Sequence, residues 1–279
     1  MRLTRIASRR MACKWARLKR PVALHRIFAD RDSRKVFQAA FTGRTRARST
    51  DKLLELKLRG LRGQSVWIRS GTSDPQVLFD VFVNLYHRPP PIPPGEVSRV
   101  WDLGSNIGLT MIDFALLFPH AEILGVELDA SNADLGRRNL APWSNRCRII
   151  EAAVWPSEAG VLYRRWPGSE YGSAVVHVAQ WDSPLADLQA RSVSLNSLLS
   201  AHGGERLVDY VKMDIEGAER FVLQKNTEWA DSVGCISVEP HTPYTLQECV
   251  RDLENLGFRA TVTRERPPCV VGRRSTAGA

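Results

Sequence analysis

The run Val100-Trp-Asp-Leu-Gly-Ser-Asn-Ile-Gly108 constrains this chain more than any other stretch. It is an apolar segment that closes on an acid, turns through Gly104 and Gly108, and leads into the apolar stretch Leu109 to Leu117. That order reads as a buried strand, a glycine turn and a helix. Glycine lets backbone approach a ligand closely, and the unpaired N–H groups at the helix start favour polar or anionic groups. Asp102, Gly104, Ser105, Asn106 and Gly108 are therefore candidate cofactor contacts. The spacing is Gly-x-x-x-Gly and not the dinucleotide fingerprint, which weakens the case for a nicotinamide or flavin. A plain strand-to-helix turn uses the same glycines, so the loop alone names no ligand.

The next strand narrows the choice. Glu122-Ile-Leu-Gly-Val-Glu127 ends in a carboxylate 19 residues after Gly108. An acid there can accept hydrogen bonds from both ribose hydroxyls of an adenosine; alternatively it is solvated, or caps the helix expected from 130. Further strands are expected at 147 to 154, 208 to 213 and 233 to 238, after those at 98 to 103 and 122 to 127. Helices are expected at 108 to 117, 130 to 140, 217 to 225 and 244 to 256, with two closing strands between 257 and 271. Such alternation predicts an α/β, doubly wound, mostly parallel sheet covered on both faces. In the third strand small Ala153 leaves room beside an adenine, and Trp155 either stacks on it or fills core.

In an open sheet, ligands sit beyond the carboxyl ends of the strands where the strand order reverses, here between the first and fourth strands. The fourth runs Val208-Asp-Tyr-Val-Lys-Met-Asp-Ile-Glu-Gly-Ala-Glu219, placing Asp214 and Glu216 on one side of its tip; the fifth ends in Glu239-Pro-His241. Asp214, Glu216 and His241 are the candidate catalytic residues. His241 is the preferred general base, and the two acids orient the acceptor, share its proton or bind a divalent cation. Glu219 reads as first-turn helix charge, and Lys212 as a cleft residue or a partner of the acids.

The flanking sequence divides the chain into a basic extension over 1–50, an accessory segment over 51–95 and the main domain over 96–279. Residues 1 to 48 carry 12 Arg and 3 Lys against 2 Asp; from a total of +9 this leaves −4 for the remainder. Apolar groups at Leu3, Ala7, Met11, Trp15, Leu18 and Val22 suit a basic amphipathic helix lying on an anionic membrane surface, an RNA contact, or an unstructured tail. The accessory segment reads as a hairpin over 54 to 69, a helix from Ser73 and a Pro-rich connector over 88 to 95. Five cysteines without a CxxC pair fit a reducing, cytoplasmic setting, and no stretch is apolar enough to span a bilayer.

Taken together these pieces resemble the FkbM-type methyltransferases. The resemblance rests on Arg69-Ser-Gly-Thr-Ser-Asp74, Asp102 to Thr110, Gly125-Val-Glu-Leu-Asp129, Ala152-Ala-Val-Trp155, Val211-Lys-Met-Asp-Ile-Glu-Gly-Ala-Glu219 and Ser237-Val-Glu-Pro-His241, spread over roughly residues 55 to 258. It implies a class I (Rossmann-like) methyltransferase fold with S-adenosyl-L-methionine as cofactor. It also implies O-methylation of a sugar, glycolipid or polyketide-type hydroxyl, hence a small-molecule or glycan acceptor. Ser105 and Leu128 depart from the family's usual Ala and Pro. The alternative is an RNA-binding or RNA-modifying protein led by the basic arm; Asp214-Ile-Glu-Gly in place of an Asn/Asp-Pro-Pro-aromatic turn argues against base chemistry, and nucleic acid is not the expected partner.

Overall fold

The computed structural model describes residues 24–42, 52–61, 63–88, 97–166, 169–176, 188–202, 207–264 and 267–274. The amphipathic pattern over Leu3 to Val22 and most of the Pro-rich connector lie outside them. The chain forms two compact units, residues 1–71 and 72–279.

In the first unit, α1 (Arg31–Phe41) starts at Asp30, whose carboxylate accepts from Ser33 N at 2.7 Å. Strands β1 (Leu53–Lys57) and β2 (Ser65–Arg69) form the expected hairpin, and their alternation buries Leu54, Leu56, Val66 and Ile68 on one face. Phe37 of α1 packs on Phe28, with ring centroids 5.0 Å apart.

The second unit begins at Thr72, so the helix that the sequence assigned to the accessory segment lies within it. This helix, α2 (Asp74–Phe79), widens into a π-turn over Asp80–Asn84 and stops at Leu85, whose φ is 55°. Its apolar side, Val77, Leu78 and Val81, is buried. Beyond it come β3 (Arg99–Leu103), α3 (Leu109–Leu117), β4 (Glu122–Glu127), α4 (Ala130–Asn139) and β5 (Cys147–Glu151). After an excursion the chain returns as β11 (Val208–Met213), α6 (Glu219–Gln224), β12 (Val233–Val238), α7 (Leu246–Asn255), β13 (Arg259–Val262) and β14 (Val270–Arg273). The seven-stranded sheet has the order β13-β14-β12-β11-β3-β4-β5, parallel except for the β13–β14 edge. Every residue of β3 is buried, as expected of a central parallel strand with both faces covered. The strand order reverses between β3 and β11, which opens a cleft at their carboxyl ends.

Two elements depart from the expectation. The strand predicted over 147 to 154 splits at Ala152. Ala152 N still donates to Glu127 O, but Ala153 N and Trp155 N donate to Arg191 O and Val193 O. Residues Ala153–Val154 (β6) thus pair with Ser192–Val193 (β10). The excursion itself contains β7 (Val161–Trp166), β8 (Ser169–Val176) and β9 (Leu188–Ala190) in a three-stranded antiparallel sheet, followed by α5 (Leu195–His202). Trp and Pro residues mask the period of these strands in the sequence.

Candidate active site

The glycine loop is shaped by contact between strand tips. Gly104 has φ 80°, and a Cβ placed on it would lie 1.8 Å from the backbone oxygen of Asp214. No side chain fits there, so β3 and β11 can approach closely only through glycine. Gly104 N and Ser105 N both donate to Val126 O, at 2.9 and 3.0 Å, which ties the loop to β4. Asn106 adopts φ 50° and Gly108 φ 76°; a Cβ on Gly108 would meet Gly136 Cα of α4 at 3.2 Å. Gly108 therefore seats the loop on α4.

Asp102 also stands behind the cleft. It is fully buried, accepts from Thr110 Oγ1 and faces Lys212 Nζ at 3.2 Å. Lys212, nearly as buried, faces Asp214 at 3.5 Å and donates to Gly104 O at 3.2 Å. Burial opposes its charge, but Asp102 and Asp214 more than compensate and hold its pKa well above the ordinary lysine value. Both sequence readings of Lys212 apply, since it lines the cleft and pairs with the acids.

Ser105, Asn106, Glu127, Asn132 and Ala153 line one lobe of a cleft of about 880 Å3, solvent at its mouth included. Glu127 accepts from Asn106 N at 2.7 Å, Asp129 N at 2.9 Å and Asn132 Nδ2 at 3.3 Å. Burial raises its pKa, and these donors oppose the rise. Ser105 Oγ and Asn106 Oδ1 are buried with no hydrogen-bond partner among the described residues. Unsatisfied buried polar atoms are costly unless a ligand or water completes them, so this lobe fits a polar nucleoside-like ligand. Trp155 takes no part; it packs on Phe221, ring centroids 4.9 Å apart, and fills core.

Asp214 and Glu216 line the same cleft and belong to the cluster at the strand tips. Asp214 and Glu216 come together as predicted and reach His241 Nε2 at 3.7 and 3.6 Å, with Glu239 at 4.0 Å. Glu216 sits at φ 55° and lines the cleft. Glu219 is the first-turn acid of α6, as expected, but it does not lie at the surface. It is fully buried, accepts from Ile215 N at 3.1 Å and Gly217 N at 2.9 Å, and holds His241 Nδ1 at 2.9 Å. Burial opposes protonation of His241, but Glu219, Asp214 and Glu216 outweigh it and push its pKa up to about 10. Burial and Asp214 push Glu216 up to about 7, and burial with Asp214 also raises Glu239.

Sequence reasoning missed Asp80 and Tyr86, which line the cleft from the π-turn and the residues just after it. Asp80 accepts from Gln76 Nε2 at 2.8 Å and Asn84 Nδ2 at 2.6 Å, and burial raises its pKa. The spacing Gln76, Asp80, Asn84 on an otherwise apolar helix is the signal that marks it. π-turns interrupt helices often at functional sites.

A glycine loop after the central strand, an acid closing the next strand and a seven-stranded sheet with one antiparallel edge hairpin define the class, a Rossmann-like class I methyltransferase domain. Residues 102–260, more than half of the chain, match the methyltransferase FkbM domain, and the chain belongs to that family of S-adenosylmethionine-dependent methyltransferases. An uncharacterized protein of Rickettsia prowazekii (strain Madrid E) is 29% identical over 49 residues, which is 18% of this chain and 20% of that protein. The match thus spans about a fifth of that relative's length. Among solved structures, the chain is similar to a precorrin-6y C5,15-methyltransferase from Geobacter metallireducens GS-15 (15% identity, 65% of this chain and 82% of that one, TM-score 0.39). It is also similar to an O-methyltransferase family protein from Burkholderia thailandensis (11% identity, 66% and 52%, TM-score 0.39). No helix among the described residues is long and apolar enough to cross a membrane.

Proposed function

We propose that the protein transfers a methyl group from S-adenosylmethionine to a hydroxyl of a small-molecule or glycan acceptor, of the sugar, glycolipid or polyketide type. The observation that carries this reading is the joining, in one cleft, of a nucleoside-shaped lobe at Glu127 with the carboxylate cluster at Asp214 and Glu216. When bound, the cofactor supplies an electrophilic sulfonium methyl and is left as S-adenosylhomocysteine. Glu127 holds the ribose hydroxyls, Ser105 and Asn106 complete the polar contacts, Gly104 keeps the loop close, and small Ala153 leaves space for the base. Lys212 fixes the loop carbonyl and orients Asp214. A hydroxyl is a weak nucleophile until its proton is removed. The tip carboxylates Asp214, Glu216 and Glu239 provide places for that proton, with His241 beside them.

The test incubates the purified full chain with a metabolite and lipid extract and cofactor labelled at the methyl. Label is expected in compounds as an O-methyl ether, with saturable binding of S-adenosylhomocysteine by calorimetry. Label confined to nucleic acid, or no saturable binding, would overturn the reading.

A further inference from the structure

We propose that Asp214, Glu216 and His241 form a divalent-cation site at the tips of β11 and β12. The proposal rests on the methyltransferase reading and specifies how its acceptor is held. Three features of the cluster carry it.

First, one carboxylate oxygen each from Asp214 and Glu216 and one ring nitrogen of His241 lie within 4.8 Å of one another. Second, the imidazole is committed: Nδ1 is bound by fully buried Glu219, leaving Nε2 as the atom turned to the carboxylates. A carboxylate on the far ring nitrogen is the usual way a protein fixes the tautomer and direction of a histidine ligand. Third, Nε2 makes no hydrogen bond among the described residues, although it is surrounded by acids at 3.6 and 3.7 Å. That separation is too long for a hydrogen bond. It is close to the spacing of about 3.4 Å between two atoms bound tetrahedrally to one ion at about 2.1 Å. Asp214 is divided in the same sense, with Oδ2 toward Lys212 and Oδ1 toward His241.

Two carboxylates and an imidazole suit the borderline ion Zn2+, and Mn2+ among the harder ions, better than Ca2+, which prefers an all-oxygen shell. Three protein ligands leave coordination positions open, and Asp214 and Glu216 face the cleft. The acceptor that fits such an ion offers two adjacent oxygens, as a vicinal diol or an α-hydroxy carbonyl does. Coordination acidifies the reacting hydroxyl, and Glu239, the tip carboxylate outside the ligand set, takes its proton.

Mn2+ binding to the full chain, followed by electron paramagnetic resonance, tests the site, with S-adenosylhomocysteine affinity measured in parallel. We expect one Mn2+ per chain, affinity reduced at least tenfold in Asp214→Asn and Glu216→Gln, and a 10- to 100-fold loss in Glu219→Gln. Circular dichroism spectra and urea midpoints close to those of the wild type show that all three variants fold. No saturable Mn2+ binding, or wild-type binding in Asp214→Asn, would overturn the proposal. Mn2+ bound as expected without S-adenosylhomocysteine binding would support the ion site and overturn the methyl-transfer reading.

Discussion

Replacing Gly104 by alanine tests how the cleft is built. The new Cβ would stand 1.8 Å from Asp214 O, whereas carbon and carbonyl oxygen normally approach no closer than about 3.3 Å. The tips of β3 and β11 must separate by roughly 1.5 Å. Two hydrogen bonds join these tips, Asp214 N to Leu103 O and Lys212 Nζ to Gly104 O. Losing both costs about 2 kcal/mol, and alanine at φ 80° adds about 1–2 kcal/mol. The expected destabilisation is therefore about 3–4 kcal/mol. Gly257→Ala is the control. Its φ of 84° imposes the same backbone strain, but its Cβ meets only the movable end of Arg274 at 3.2 Å. It should cost about 1–2 kcal/mol. Urea unfolding followed by circular dichroism measures both, and calorimetry with S-adenosylhomocysteine reads the loop, where Gly104→Ala should bind at least tenfold more weakly. A Gly104→Ala protein within about 0.5 kcal/mol of the control and binding with wild-type affinity would refute the reasoning.

Glu127→Ala removes the acceptor for two ribose hydroxyls, and bonds to a charged group contribute about 1.5–3 kcal/mol each. S-adenosylhomocysteine affinity should fall at least about tenfold, while Mn2+ binding is unchanged; affinity within twofold of wild type would remove Glu127 from the ribose site. Asp113→Asn breaks a buried cluster in which Asp113 accepts from Arg88 at 2.7 and 2.8 Å and pairs with His87 at 2.9 Å. The cost at neutral pH should be about 1–2 kcal/mol, since two hydrogen-bond partners lose the carboxylate while the exposed side of Arg88 stays solvated. Burial alone would raise the Asp113 pKa, but His87 and Arg88 lower it below the ordinary value. A depressed folded-state pKa gives stability that is present above the unfolded value near 4 and is lost as pH falls through the folded one. The difference between wild type and Asp113→Asn should shrink as urea midpoints are taken from pH 5 toward pH 2; a constant difference would show that the charge contributes nothing.

The local order of the main domain was legible because its signals are local. The strands at Glu122–Glu127, Val208–Met213 and Val233–Val238 fall where apolar runs between breakers place them, and the reversal beside β3 follows from the α/β alternation. Asp214, Glu216 and His241 could be paired from strand-tip position alone, because side chains two apart share a face of an extended chain. What the sequence by itself determined is thus which residues could meet at the carboxyl end of the sheet.

Only the tertiary structure decided what each one does there. Burial and bond partners belong to the packed molecule: they set Asp102 against Lys212, seat Gly108 on α4, and make the first-turn acid Glu219 the anchor of His241. Asp80 and Tyr86 reach the cleft through a π-turn whose register no periodicity announces. The raised pKa of His241 was likewise out of reach, since it depends on carboxylates that converge only when β11 and β12 lie side by side.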